Sequence, residues 1–349
     1  MDIRRLPALP TLLLCVGLGL SPSAHALKWR SVSCSAYGSA AITTKGDLYV
    51  TGSHVNGELG DNQTGLLPLY RSRWTKVAGK IDSIILDTDH SLAINAKNQL
   101  LATGNNDYGQ LGLGTQKSRK QWKKALADVT AAAVGYKSSL AIKQDGSLWV
   151  TGISNLGNRN YIASFYGLRW RKMPDGVKSA AAGSYKAYAV NQQDELLRIT
   201  YPFGSTPPPA PPQWEKLEEG VSQVISYPGS LVNEVVIQKL DGSAWWAYEL
   251  GTLSFRQIAM GTERIKGSQQ GLLLLDPSGS LSILKYPTTE SSTEIQTDVT
   301  DFCAGAQHAL VVKHDGTLWA SGINNQGQFG IKNGSGTSSL QEWIQVKFK

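Results

Sequence analysis

Lys45-Gly-Asp-Leu-Tyr-Val-Thr-Gly52 returns 100 positions later as Asp145-Gly-Ser-Leu-Trp-Val-Thr-Gly152. Closely related copies are Asn98-Gln-Leu-Leu-Ala-Thr-Gly104 and Asp315-Gly-Thr-Leu-Trp-Ala-Ser-Gly322. Weaker ones are Asp194-Glu-Leu-Leu-Arg-Ile, Asp241-Gly-Ser-Ala-Trp-Trp and Ser278-Gly-Ser-Leu-Ser-Ile. Seven units spaced by roughly 37 to 52 residues fall in the period range of propeller blades. An apolar run such as Ser139-Leu-Ala-Ile142 or Ala309-Leu-Val-Val312 precedes each turn, and a second β-rich run follows it. Two such runs joined by Asp-Gly or Lys-Gly make a hairpin, because those residues tolerate the positive φ of a tight turn. No stretch has a sustained helical period, so the expected class is all-β.

A second mark is an aromatic strand: Trp74-Thr-Lys-Val77, Trp122, Trp170-Arg-Lys-Met173, Trp214-Glu-Lys-Leu217 and Phe255-Arg-Gln-Ile258, with Ser292-Thr-Glu-Ile295 as a copy lacking the ring. From Trp74, Trp122, Phe255 and Ser292 the next hairpin turn lies 24 positions on. Each such strand therefore reads as the opening strand of the unit after it. The first unit then lacks one, and Trp343-Ile-Gln-Val346 is an orphan at the other end. That arrangement predicts a ring closed by the C-terminal strand completing the first blade, which would remove exposed sheet edges.

The third mark follows the hairpins: Gly52-Ser-His-Val-Asn-Gly-Glu-Leu-Gly60, Gly104-Asn-Asn-Asp-Tyr-Gly-Gln-Leu-Gly112 and Gly322-Ile-Asn-Asn-Gln-Gly-Gln-Phe-Gly330, with Gly152-Ile-Ser-Asn-Leu-Gly157 as a partial copy. Together with Val134-Gly-Tyr-Lys-Ser-Ser-Leu-Ala-Ile142 and Ala304-Gly-Ala-Gln-His-Ala-Leu-Val-Val312, this resembles the RCC1 repeat. The resemblance is strong in the first three units and the last, and degraded in units four to six. It implies a seven-bladed β-propeller that binds other proteins and is not an enzyme. Three kinds of role come with it: nucleotide exchange on a small GTPase (including a host-directed regulator), inhibition of an extracytoplasmic enzyme as in secreted β-lactamase-inhibitor propellers, and surface recognition. Fold alone does not choose among them.

The N-terminus bears on compartment. Arg4 and Arg5 precede an apolar run from Leu6 to Leu20 and then Ser21-Pro-Ser-Ala-His-Ala26. Those are the three parts of a secretory signal peptide, and the run is too short to span a membrane comfortably. The expected organisation is a signal peptide over 1–26 and one propeller over 27–349, in a secreted or periplasmic protein. Gly204-Ser-Thr-Pro-Pro-Pro-Ala-Pro-Pro212 reads as a proline-rich surface loop over 204–213, since proline blocks sheet pairing. Of three cysteines, Cys34 and Cys303 remain after cleavage. They fall on the innermost strands of the first and last units, one residue out of register, so facing blades would point them at each other. A disulfide latching the ring is the expectation.

No nucleophile elbow, H-E-x-x-H or phosphate loop occurs, and Asp87-Thr-Asp-His90 has no second ligand cluster beside it. No catalytic residue, cofactor or metal ligand is assigned; an enzyme with a scattered, loop-borne active site is the alternative this leaves. His90 and His308 share one repeat position and read as structural hydrogen-bonding residues. A formal charge of +7 does not mark a nucleic-acid binder, and a closed ring is expected to be monomeric. Two surfaces are candidates for a protein partner. Lys117, Arg119, Lys120, Lys123 and Lys124, flanked by Arg71, Arg73, Arg169 and Arg171, form a cationic arc suited to an acidic partner surface or anionic envelope polymer. Tyr37, Tyr136, Tyr185 and Tyr227 recur at the turn between the two innermost strands, where propeller geometry gathers them around one mouth of the channel, and tyrosine is a frequent anchor of interfaces.

Overall fold

The computed structural model describes residues 27–63, 70–135, 137–154, 165–173, 175–182, 187–200, 213–225, 234–248, 253–268, 271–285, 291–331, 336–337 and 342–348. Residues 1–26, most of the proline-rich stretch (204–212), and Tyr136, Tyr185 and Tyr227 lie outside them.

Seven four-stranded antiparallel sheets follow one another along the chain, each built from four consecutive strands. Blade 1 is β1 (Trp29–Cys34), β2 (Gly38–Thr43), β3 (Leu48–Ser53) and β4 (Tyr70–Ala78). Blade 2 is β5 (Ile81–Ile85), β6 (His90–Asn95), β7 (Leu100–Gly104) and β8 (Arg119–Leu126). Blade 3 is β9 (Val129–Gly135), β10 (Ser138–Lys143), β11 (Leu148–Ser154) and β12 (Phe165–Lys172). Blade 4 is β13 (Val177–Ala182), β14 (Ala187–Asn191), β15 (Leu196–Thr200) and β16 (Gln213–Glu218). Blade 5 is β17 (Val221–Ile225), β18 (Glu234–Lys239), β19 (Ala244–Tyr248) and β20 (Arg256–Ala259). Blade 6 is β21 (Arg264–Ser268), β22 (Gly271–Leu275), β23 (Leu281–Leu284) and β24 (Thr293–Gln296). Blade 7 is β25 (Val299–Ala304), β26 (His308–Lys313), β27 (Leu318–Gly322) and β28 (Ile344–Gln345).

The repeat explains these elements. The second strand of a blade is buried on both faces, as in β2, where all six residues are inaccessible, so it reads as an unbroken run of small and aliphatic residues. The fourth strand is half exposed, and β8 accordingly alternates lysine with Trp122. The turn between second and third strands holds a left-handed residue in every unit: Gly46, Asn98, Gly146, Asp194, Gly242, Gly279 and Gly316, with φ from 54° to 84°. That places all seven units in one register, including the three whose sequences are degraded. Seven separate apolar clusters fill the spaces between neighbouring blades.

The closure expected from the sequence is not what forms. β28 pairs with β27, so the C-terminal strand completes the seventh blade, and β4 with Trp74 completes the first. No hydrogen-bonded sheet among the described residues joins the two ends of the chain. The constant 24-residue interval runs from an outer strand across the inter-blade connection into the next blade. The stretch of varying length that precedes each such strand falls between the third and fourth strands of one blade. Spacing alone could not tell these apart.

The seam between blades 7 and 1 is held by other means. Cys34 and Cys303 are disulfide-bonded, with Cα atoms 5.5 Å apart and a sequence separation of 269, as the register predicted. Asp301 Oδ2 accepts from the Val32 amide at 2.8 Å, while its other oxygen takes Lys266 at 2.8 Å and Arg264 at 3.1 Å, tying blades 6, 7 and 1 together. The amide of Trp29 donates to Gly316 O at 2.9 Å. Beyond β28 the tail lays Phe348 against Trp29, ring centroids 4.7 Å apart, with Tyr49 and Trp74 completing the cluster.

Because the only covalent bond across this seam spans nearly the whole ring, removing it should be felt globally. Cys34→Ala/Cys303→Ala is expected to lose on the order of 5 kcal/mol in the chain-entropy picture and to melt at lower temperature than the oxidised protein. An unchanged melting temperature would mean that the non-covalent seam suffices.

Candidate protein-binding face

Inter-blade contacts on one face of the ring are made by the G-x-x-x-x-G loops. The loops of blades 1, 2 and 7 each reach over the fourth strand of the next blade. Asn62 N of blade 1 donates to Lys120 O of blade 2 at 2.8 Å, beside a β-bridge between Asp61 and Gln121. Gly114 of blade 2 repeats this on Leu168 of blade 3, beside a bridge between Leu113 and Arg169. Leu59, Leu111 and Phe329 are wholly buried under the three loops. The glycine that follows each lies flat on an indole. A Cβ on Gly60 would sit 2.3 Å from Trp122, on Gly112 2.2 Å from Trp170, and on Gly330 2.2 Å from Trp74, so no other residue fits. A threonine of the receiving blade closes each clasp: Thr103 to Gly57 O at 3.0 Å, Thr151 to Gly109 O at 2.9 Å and Thr51 to Gly327 O at 2.8 Å. The same device thus joins blade 1 to 2, 2 to 3 and, across the seam, 7 to 1.

The repeat histidines belong to this system. His90 Nε2 is hydrogen-bonded to Ser139 Oγ of blade 3 at 2.8 Å, and His308 Nε2 to Ser39 Oγ of blade 1 at 3.0 Å. Burial pushes their pKa values down to about 3 and about 4, so both are neutral and act as struts. Their partners sit in the neighbouring blade, whereas the sequence suggested bonding within their own. Asp87, Asp89 and His90 do not converge: Asp89 accepts from Gln110 at 2.8 Å while His90 turns to blade 3. No group of three His, Cys, Asp or Glu among the described residues is placed to hold a metal ion.

Around the channel mouth on the clasped face, the inner turns are tied to one another. Ala306 N donates to Ala36 O at 3.1 Å, Ala36 N to Thr88 Oγ1 at 3.3 Å, and Asn56 Nδ2 to Thr88 O at 3.0 Å. On this network stand three exposed apolar side chains: Tyr37 (45% exposed) and Val55 (57%) from blade 1, and Ile323 (40%) from blade 7. Tyr37 is the one member of the tyrosine set that falls within the described residues; Val55 and Ile323 were not among the sequence candidates. Lys117, Lys120, Lys123 and Lys124 are exposed and Arg119 is half buried, all at the outer edge of blade 2. A cavity of about 390 Å³ opens among the inner strands of blades 3 to 5, lined chiefly by Ala131, Ala132, Ala133 and Ala180, with Lys178, Ser179, Ser222 and Gln223 as its polar wall. Elsewhere a side chain of one inner strand caps an amide of the next, Ser33 on Leu86 and Ser179 on Val224.

Two stretches, residues 97–142 and 299–328, match the Regulator of chromosome condensation (RCC1) repeat. The fold is that of an RCC1-repeat, seven-bladed propeller. Human WBSCR16 is similar over 92% of this chain and 83% of its own, at 17% identity and a TM-score of 0.52. Yeast RCC1 (Prp20), solved with Kap60 bound, is similar over 91% and 75%, at 15% identity and a TM-score of 0.51. PorZ, a surface component of the type-IX secretion system of Porphyromonas gingivalis, is similar over 93% of this chain and 38% of its own, at 10% identity and a TM-score of 0.56. At these identities the likeness is one of fold.

One clasp departs from the repeat. Gln110 and Gln328 each accept from the amide two residues before them, Tyr108 at 3.0 Å and Gln326 at 2.8 Å, and Glu58 does the same for Asn56 at 2.8 Å. Glu58 is thus an acid in an amide slot, 2% exposed, and burial raises its pKa to about 8, with Asp61 and Asp89 adding to the rise. It is neutral at pH 7 and mimics glutamine. Because the folded pKa lies above the unfolded one, its contribution is fully favourable below about pH 4.5 and is lost as pH rises through about 8. Glu58→Gln should therefore match the wild type in melts at pH 4 and exceed it at pH 9, by at most about 5 kcal/mol. Equal stability of the two proteins at pH 9 would refute the neutral-acid assignment.

Proposed function

We propose that this chain is a non-catalytic scaffold that docks a protein partner on the clasped face of its ring, outside the cytoplasm. The observation that carries this reading is the group Tyr37, Val55 and Ile323, exposed on turns that are fixed by hydrogen bonds to one another. Rigid aromatic and aliphatic anchors on a pre-ordered base bind with little entropic cost. RCC1-repeat propellers serve as scaffolds without catalytic chemistry. The Cys34–Cys303 bond supports an oxidising compartment, in keeping with the signal-like segment 1–26, which lies outside the described residues. Inhibition of an extracytoplasmic enzyme is the specific form of docking that the secreted setting favours.

A second reading has a specific support. A study of Saccharomyces cerevisiae Prp20p describes its binding to Gsp1p and histones, and that chain matches over 91% of this one at a TM-score of 0.50. On that reading the ring is a regulator of a GTPase, in the host where the protein is delivered there.

Affinity capture from native envelope and from culture supernatant, using the wild type and Tyr37→Ala/Val55→Ser/Ile323→Ser side by side, tests the first reading. Docking on this face predicts a species held by the wild type and lost by the variant, with melting temperatures alike because all three side chains are exposed. Identical captures by the two proteins would remove this face from consideration. Acceleration of labelled-GDP release from a small GTPase by the wild type would favour the second reading.

A further inference from the structure

The cationic residues at the outer edges of the blades are not alike. On blade 1, Arg71 is paired with Asp61, and Lys76 with Asp47 at 2.8 Å. On blade 3 Lys172 meets Asp175 at 2.9 Å, and on blade 4 Lys216 meets Glu195 at 2.6 Å. On blade 2, Lys117, Lys120, Lys123 and Lys124 are all exposed, and among the described residues none has a carboxylate partner. The strand that carries three of them, β8, is the outermost of its sheet. Its upper part accepts a neighbour from blade 1, through the bridge of Asp61 with Gln121 and the bond from Asn62 N to Lys120 O. Below that point, from Trp122 to Leu126, no described strand lies on its outer side.

We propose that the lower edge of β8 takes an acidic, extended polypeptide segment of a partner protein. The bridge at Gln121 shows that this edge accepts a second strand. Unpaired backbone groups on a strand edge are satisfied by another main chain, which a polypeptide offers and a polysaccharide or nucleic acid does not. Lysines deny such an edge to a neutral or basic chain. To an acidic chain they are complementary, and here they have no internal competitor. The segment would continue the antiparallel pairing begun at Asp61, placing its carboxylates against Lys120, Lys123 and Lys124. This inference rests on the protein-docking reading above and names a second contact, on the rim.

The probe is a labelled ten-residue peptide alternating glutamate and threonine, titrated by fluorescence anisotropy against the intact disulfide-bonded protein. Its partners are the same peptide N-methylated at alternate residues, and heparin. Saturable binding is expected, with amide exchange slowed at whichever of the adjacent Lys123 and Lys124 turns its N–H to the outer edge and unchanged at the other, which faces β7. N-methylation, or Lys120→Glu/Lys123→Glu/Lys124→Glu, should each weaken binding about tenfold or more. Equal binding of the plain and N-methylated peptides, with heparin at least as tight, would reduce the edge to an unspecific polyanion surface and overturn the proposal. So would indifference to the charge reversal. Peptide binding should survive Tyr37→Ala/Val55→Ser/Ile323→Ser. Failure of capture with intact peptide binding therefore counts against the docking face, and failure of peptide binding with intact capture counts against this edge alone.

Discussion

A glycine Cα pressed against an indole ring sets the geometry of this molecule. With Gly60, Gly112 and Gly330 each at contact with a tryptophan of the next blade, the separation and tilt of neighbouring sheets are fixed at their outer radius. The histidine and serine pairs fix them further in. A propeller blade is a twisted sheet with two apolar faces, and packing area alone allows neighbouring sheets to slide. The clasp removes that freedom, because its threonine bonds and β-bridges are directional whereas hydrophobic contact is not. The Gly-rich motif is thus a joint between blades, and its glycines answer to sterics as much as to turn conformation.

The same joint accounts for how the ring closes without a shared sheet. The loop of blade 7 clasps Trp74 of blade 1 just as internal loops clasp Trp122 and Trp170, and Trp74 Nε1 donates to Phe329 O at 2.9 Å. A closing strand borrowed from the other end of the chain is then not needed to align blades 7 and 1. Resistance to separation comes from Cys34–Cys303 and from the three-way carboxylate of Asp301, both at the inner radius. A buried carboxylate between two cations and an amide is favourable only while all of them are present, so this corner holds blades 6, 7 and 1 as one unit.

Blade number and the disulfide were legible in the sequence because each rests on short-range rules: a positive-φ turn in every hairpin, and the register of two cysteines. Closure was misread because a constant interval between two marks says nothing about which sheet a strand joins; that is decided by side-chain docking far away in the chain. The candidate site was legible only in part. Tyr37 stands out through recurrence, and Ile323 shares its loop position with Ile153 of the third unit, whereas Val55 stands where the other copies carry Asp107 and Asn325, so no pattern announces it. Glu58 could have been found, since aligning it with Gln110 and Gln328 exposes an acid where the repeat has an amide. The distinction of the blade 2 lysines was beyond the sequence, because the abundance of cations along β4, β8 and β12 is similar. What sets blade 2 apart is that all four of its exposed lysines lack a carboxylate partner among the described residues, whereas β4 pairs Arg71 and Lys76 and leaves Arg73.

The joints are also unevenly distributed, and this bears on where a partner binds. Blades 7, 1 and 2 carry the full set of motifs and blade 3 a partial one, and the exposed apolar group and the unpaired lysines lie on blades 7, 1 and 2. Units four to six have lost the G-x-x-x-x-G sequence, and the cavity bordered by Ala131 and Ala180 opens among blades 3 to 5. Binding through exposed side chains is efficient where the backbone beneath them is already ordered, since ordering it on contact would subtract from affinity. The disulfide sits within the arc of blades 7, 1 and 2, at the one joint in it that the continuous chain does not bridge.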